Sequence, residues 1–73
     1  MDPRTALFQQ HRPRLLGLAY RMLGTPADAE DVLHDARLRW EAQDGAALDD
    51  PEAWLVTVTT RLALDRLRRA KTE

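Results

Sequence analysis

Residues 25–42 read TPADAEDVLHDARLRWEA, and this stretch decides the fold. Thr25 offers a hydroxyl that can cap a helix, Pro26 suits the first helical position, and Asp28 stands three residues after the cap. Apolar residues then recur at spacings of three and four, the period of a helix with one buried face. They are Ala29, Val32, Leu33, Ala36 and Trp40. The pattern predicts a helix from Pro26 to about Ala42.

The chain before this helix carries the same start signal. Asp2 can cap a first helix with Pro3 at its first position, and Gly24 is expected to end it. Pro13 lacks a backbone N–H, so we expect it to kink or split this helix. The apolar residues of this helix also follow helical spacing. They are Leu15, Leu18, Ala19, Met22 and Leu23.

A loop and a third helix follow. Residues 43–50 hold few large side chains and predict a loop, after which Asp50-Pro51 restarts a helix that runs to about Ala70. Two apolar stripes run along this helix, so it buries a wide face. The predicted fold is all-α, a compact three-helix bundle forming a single domain over residues 1–73.

The composition excludes several classes of protein. The chain has 73 residues and no cysteine, so we expect one small domain in a reducing compartment, the cytoplasm. No apolar run is long enough to cross a bilayer, and the first residues do not read as a secretory signal. Serine is absent, no glycine-rich phosphate loop occurs, and His11 and His34 do not stand at metal-ligand spacing. We therefore expect no enzyme, no cofactor and no metal site.

The net charge of −1 hides a segregation of charge along the chain. Residues 1–23 carry four arginines and one acid, residues 24–53 two arginines and nine acids, and residues 54–73 five bases and two acids. Successive basic, acidic and basic blocks suggest faces for different partners, one of them a polyanion. Ordinary solvated helix faces would give the same blocks, so charge alone leaves both interpretations open.

Three stretches resemble region 2 of the bacterial RNA polymerase sigma factors, in the extracytoplasmic-function (ECF) branch of the sigma-70 family. ADAEDVLHDA at 27–36 is similar to the acidic pattern of that branch. WLVTVTTRLALDRLRR at 54–69 is similar to its second signature, and HRPRLLGLAYRMLG at 11–24 completes a match in order. The wording TRLALDRLR at 60–68 is closest to a subgroup with an additional C-terminal ketosteroid-isomerase-like domain.

The resemblance implies a polymerase-binding surface on the second helix. In the family, the acidic helix docks on the clamp helices of the polymerase β′ subunit, where charge pairing would set register and association rate. A plainer interpretation is that the first acids only stabilise the helix N-terminus, by about 0.3 to 1 kcal/mol each, although that effect fades before Asp35. The implied polymerase-binding residues are Asp31, His34, Asp35, Arg37 and Glu41, with Trp40 near the edge.

The resemblance also implies a DNA-binding surface on the third helix. In the family, this helix and the loop before it open promoter DNA and bind the non-template strand of the minus-ten element. Basic and aromatic side chains suit single-stranded DNA, but Trp54 precedes an apolar run and has a place in the core as its alternative. The implied DNA-binding residues are Trp54, Arg61, Arg66, Arg68 and Arg69.

The sequence departs from the family pattern in three places. His34-Asp35 replaces the usual glutamine-glutamate pair, which bears on the affinity for the clamp. Arg61 replaces the usual asparagine, which exchanges an amide that can read a base edge for a cation suited to phosphate. The loop at 43–50 holds three aspartates and no aromatic or basic side chain, which bears on its ability to hold a flipped base.

The expected function is that of a transcription initiation factor domain with core RNA polymerase and promoter DNA as partners. Residues 1–73 hold no helix-turn-helix of the kind that forms sigma region 4, so we expect an isolated domain or a lone region 2 protein. An anti-sigma factor and a C-terminal domain of the full-length protein are further candidate partners, and no membrane partner is expected. Uncovered apolar faces on the first and third helices would also allow a second copy of this chain to bind. The alternative function is a small helical adaptor or decoy that acts on polymerase or an anti-sigma factor without reading DNA. A general double-stranded DNA binder is disfavoured by the acidic central block.

Overall fold

The computed structural model describes residues 2–43 and 48–72, which form three helices. α1 spans Pro3–Leu23, α2 spans Pro26–Ala42 and α3 spans Pro51–Thr72. Each helix packs against the other two. The all-α three-helix bundle is confirmed, and the bounds of α2 agree with those predicted from the sequence.

Each helix begins at the cap that the sequence predicts. Thr25 Oγ1 accepts a hydrogen bond from the Asp28 N–H at 3.2 Å, and Asp50 Oδ1 accepts one from the Ala53 N–H at 3.1 Å. Asp2 caps α1 in the same way. These bonds satisfy backbone donors that a helix N-terminus leaves without an intrahelical partner.

The connection between α1 and α2 is a tight turn of two residues. Gly24 adopts a φ of 84°, in the left-handed region that favours glycine, and its N–H donates to the Tyr20 carbonyl at 2.8 Å. The short turn brings α2 back along α1. The segment predicted as a loop, 43–50, is not helical where it is described, and residues 44–47 lie outside the described part.

The first helix is continuous, so the expected split at Pro13 is wrong. An internal proline costs about 3 kcal/mol, because it removes a hydrogen bond and its ring crowds the preceding turn. Pro13 leaves the Gln9 carbonyl without its helical donor. Both residues are exposed, so water can reach this side of the helix. Both halves of α1 also bury side chains in the bundle, Phe8 before the proline and Leu15 after it. Packing on both sides therefore outweighs the local penalty.

The core lies where the three helices meet. All five apolar residues predicted for the buried face of α2 are buried. Phe8 and Thr59 are buried as well and were not predicted; the Thr59 hydroxyl has no hydrogen-bond partner within the described residues. The other buried residues are Leu15 and Ala19 of α1, and Leu55 and Ala63 of α3.

Trp40 joins the end of α2 to the start of α1. Its side chain is 1% exposed, and its Nε1 donates to the Arg4 carbonyl at 2.8 Å. Arg4 in turn donates from Nη2 to the Trp40 carbonyl at 2.6 Å, and its guanidinium carbon lies 5.8 Å from the centroid of the tryptophan ring. The ring of Trp54 packs at 5.7 Å between centroids. Trp40 is therefore a core residue and not part of the expected polymerase surface.

Candidate functional site

One side of α2 faces solvent and carries a row of polar side chains. Asp31, His34 and Asp35 are exposed there, at spacings of three and four residues, on the side opposite the buried residues. Glu41 lies two turns after His34 on the same side and is also exposed. We call Asp31, His34, Asp35 and Glu41 the acidic face; its formal charge is −3 with the histidine neutral.

Arg37, the fifth residue expected to contact polymerase, borders the acidic face. Its Nε donates to Glu41 Oε1 at 3.0 Å, and both side chains are about half exposed. An exposed pair of this kind between residues four apart contributes only about 0.3 to 0.5 kcal/mol, so both groups can exchange partners at little cost. The structure thus brings all five expected polymerase-binding residues to the solvent side of α2.

Arg66 lies against α2, although the resemblance assigned it to DNA. Its Nε and Nη2 donate to Asp28 Oδ1 at 3.2 and 3.1 Å, and its Nη2 also donates to Asp31 Oδ2 at 3.0 Å. One arginine of α3 therefore bridges two carboxylates of α2. Arg66, which was expected to bind DNA, and Asp31, which was expected to bind polymerase, therefore form an ion pair with each other.

Asp28 is held in its charged form by two neighbours. The Thr25 hydroxyl donates to Asp28 Oδ2 at 2.8 Å, and the Arg66 guanidinium donates to the other carboxylate oxygen. The Thr25 hydrogen bond and then the Arg66 hydrogen bonds lower the pKa of Asp28 below its ordinary value, while partial desolvation opposes them. The ionised carboxylate thus favours the folded state.

We expect Asp28→Asn to reduce the loss of stability at acid pH. A pKa lowered by folding gives a contribution that is fully present above the ordinary pKa of the carboxyl group, and is lost as pH falls through the lower folded value. The midpoint of urea unfolding, followed by circular dichroism from neutral pH down to about pH 3, should therefore fall less steeply for the variant.

Asp35→Asn is the matched control, since Asp35 lies on the same helix but forms no ion pair with α3 within the described residues. If Asp28→Asn and wild type lose stability in parallel below pH 4, the Asp28 carboxylate and its contacts with Thr25 and Arg66 make no contribution to the acid dependence.

The other predicted DNA-binding arginines are exposed on α3. Arg61 and Arg68 are seven residues apart and share one face, while Arg69 is turned by about 100° from Arg68. Arg68 approaches Asp65 at 3.9 Å, a long and highly exposed pair. Arg61 and Arg69 have no ion pair within residues 2–43 and 48–72. Three of the four arginines are therefore accessible to a partner.

Trp54 occupies a different environment from these arginines. It is half-buried at the start of α3, and its ring packs against Trp40. This position supports the core and leaves only part of the ring surface accessible, which favours the supporting role over that of a free stacking platform.

Some ionic contacts hold the helices together and were not predicted from the sequence. Glu52, in the first turn of α3, contacts His11 Nδ1 at 3.1 Å and Arg14 Nη1 at 2.8 Å. Arg12 pairs with Glu30 of α2 at 2.7 Å. The only indication of such pairs in the sequence is that basic and acidic residues lie in separate blocks along the chain. Residues 2–43 and 48–72 hold no cluster of three or more side chains suited to a metal, and no helix in that part has the length and hydropathy to span a bilayer.

Residues 7–73 match the family model described as Sigma-70 region 2. The chain belongs to this family. Membership of a sigma-factor domain family agrees with the expectation that the chain is not an enzyme.

Relatives with a sigma-factor description support the same assignment. The chain is 51% identical over 63 residues to the ECF RNA polymerase sigma factor SigJ of Mycobacterium tuberculosis, covering 86% of this chain and 20% of that protein. It is 39% identical over 71 residues to the probable ECF RNA polymerase sigma factor SigI of the same species, covering 97% and 24%. With the ECF RNA polymerase sigma factor SigM it shares 39% over 67 residues, covering 89% and 34%. The chain thus spans about a fifth to a third of these relatives, and no solved structure matches it.

Proposed function

We propose that this chain is the part of an ECF-type sigma factor that binds core RNA polymerase through α2 and the minus-ten promoter element through α3. The observation that carries the proposal is the separation of exposed charge within a region 2 fold. The acidic face lies on one side of α2, while the accessible arginines lie on α3. Two helices with opposite exposed charge suit two partners of opposite charge.

The polymerase-binding role is assigned to the acidic face and Arg37. Its carboxylates are exposed, and Asp35 has no ion pair within the described residues, so it is available to a basic partner. The proposed partner surface is the pair of clamp helices in the β′ subunit. His34 in place of glutamine retains a donor and an acceptor, so the position can still form a polar contact.

The DNA-binding role is assigned first to Arg61, Arg68 and Arg69, and the proposed ligand is the non-template strand. These three arginines are exposed, so they can contact phosphates without disturbing the core of the bundle. Arg66 and Trp54 support this surface from behind: Arg66 ties α3 to α2, and Trp54 fixes the start of α3 on the core.

We further propose that the chain belongs to the subgroup with a ketosteroid-isomerase-like C-terminal domain. The wording at 60–68 supports this, and the 51% identical relative is about five times as long as the matched segment, which leaves room for other domains. The proposed place of action is the cytoplasm, where polymerase works. An anti-sigma factor and a second copy of the chain stay open as further partners.

The protein-only adaptor is the alternative, and DNA binding separates the two functions. We expect wild type to bind mycobacterial core RNA polymerase with micromolar or tighter affinity, and the complex to bind a labelled pool of randomised single-stranded oligonucleotides better than polymerase alone. Arg61→Ala should weaken oligonucleotide binding and reduce its salt slope by about 1, because one phosphate contact is lost. Fluorescence anisotropy over a salt series measures both quantities.

Arg12→Ala is the matched control, since Arg12 is an arginine that pairs with Glu30 between α1 and α2. It should leave oligonucleotide affinity and salt slope unchanged. If the complex binds oligonucleotides no better than polymerase alone, the adaptor function is favoured. If wild type does not bind polymerase, the proposed function fails, and of the alternative only an adaptor that acts on an anti-sigma factor is left.

A further inference from the structure

Leu38 is a large apolar side chain exposed in the middle of the acidic face. It is 52% exposed, more than Tyr20 at 48% or Leu64 at 41%, the other exposed large apolar residues of the described part. It stands three residues after Asp35 and seven after Asp31, so these side chains are its neighbours on the helix surface.

Folding does not explain this leucine. The buried residues of α2 lie on the opposite side of the helix, and Trp40 and Ala36 on that side are almost fully buried. Leu38 therefore adds no packing to the core, while its isobutyl group remains in water. The neighbouring position one turn later is Ala42, which is small and also exposed, so no larger side chain covers Leu38 from that end.

The surroundings of Leu38 have the arrangement of a small protein interface. Interfaces concentrate their binding energy in a few apolar anchors at the centre, and a polar rim around them excludes water. Here the rim is mainly negative: Asp31, Asp35 and Glu41 lie around the leucine. Of the two arginines next to it in the sequence, Arg37 is paired with Glu41, and Arg39 stands one turn after Asp35. Charge complementarity selects a protein partner with lysine or arginine side chains around an apolar recess.

We infer that Leu38 is the apolar anchor of the acidic face and enters a recess between basic side chains on the clamp helices of RNA polymerase. The inference rests on the proposed function and adds to it the residue that supplies most of the apolar contact. Once the leucine is covered, water leaves the rim, and the ion pairs of Asp31 and Asp35 act in a less polar medium.

The test compares wild type, Leu38→Ala and Leu64→Ala for binding to mycobacterial core RNA polymerase over a salt series. Leu38→Ala should weaken binding about tenfold at every salt concentration, because it removes apolar contact and no charge. Its dependence on salt should equal that of wild type, whereas Asp35→Asn should make binding less dependent on salt. Leu64→Ala removes the same atoms from an exposed leucine of α3 and should bind polymerase as wild type does.

The outcomes separate this inference from the function on which it rests. If wild type binds and Leu38→Ala binds within twofold of it, the anchor is disproved and the proposed function stands. Equal losses in the two leucine variants would also disprove it, because any exposed leucine would then matter. If wild type shows no binding, the proposed function fails and the inference falls with it. Circular dichroism should show the same helical signal for all variants, since neither leucine belongs to the core.

Discussion

Trp40→Ala is expected to leave the chain largely unfolded at room temperature. Replacing a buried tryptophan with alanine costs about 3 to 5 kcal/mol, which is as much as the whole core of a domain this small supplies. The variant loses the packing against Trp54, the hydrogen bond from Nε1 to the Arg4 carbonyl and the stacking of the Arg4 guanidinium. Far-UV circular dichroism and urea unfolding measure the loss.

Trp40→Phe separates packing from hydrogen bonding in the same position. It retains an aromatic ring but loses the donor to Arg4, so it should fold with a stability lower by about 1 to 3 kcal/mol. A Trp40→Ala variant that keeps the helical signal and the urea midpoint of wild type would show that the junction of α1 and α2 does not hold the bundle together.

Asp35→Lys is expected to weaken polymerase binding about a hundredfold or more. The substitution places a positive charge opposite a basic surface, and like charges in an interface cost several kcal/mol. Asp35 is a better site for this test than Asp31, because reversing Asp31 would also break the contact with Arg66 and disturb the packing of α3 on α2. Affinity for core polymerase and thermal unfolding should both be measured, and only the affinity should change.

Asp65→Lys makes the same charge change on α3 and serves as the control. Asp65 is exposed, and its contact with Arg68 at 3.9 Å is weak, so the bundle should tolerate the change. If Asp35→Lys and wild type bind polymerase with equal affinity, the acidic face is not the polymerase-binding surface. Asp35 and Asp65 line one groove between α2 and α3, so equal weakening by both variants would mean that the charge around this groove or the net charge, and not Asp35 itself, governs binding.

The fold was largely predictable because the helix-capping residues and the helical spacing of the apolar residues indicated the same three helices. Thr25, Pro26 and the five-residue apolar stripe of α2 gave both the bounds and the buried face of that helix. Of the kink or split expected at Pro13, the split was wrong, because the local cost of a proline is visible in the sequence while the packing that offsets it is not. Thr59 was missed because a buried threonine hydroxyl has no signature in hydropathy.

The interaction surfaces were only partly predictable. The resemblance and the helical spacing together brought the polymerase-binding residues to one side of α2, as the structure places them. The partner of a charged side chain cannot be read from its own neighbours in the sequence: Arg66 pairs with carboxylates 35 and 38 residues away. Leu38 was overlooked because helical periodicity identifies only the apolar residues of the buried face and gives no role to an apolar residue outside it.

The contacts along α2 bear on the entropy of binding. Arg4 donates hydrogen bonds to carbonyl groups at the end of α2. Near the start of α2, Glu30 pairs with Arg12 of α1, and Asp28 pairs with Arg66 of α3. The backbone beneath the exposed side chains is thus ordered before any partner arrives. Association with a partner then immobilises only rotamers, and no helix has to form in the encounter, so more of the contact energy remains as affinity.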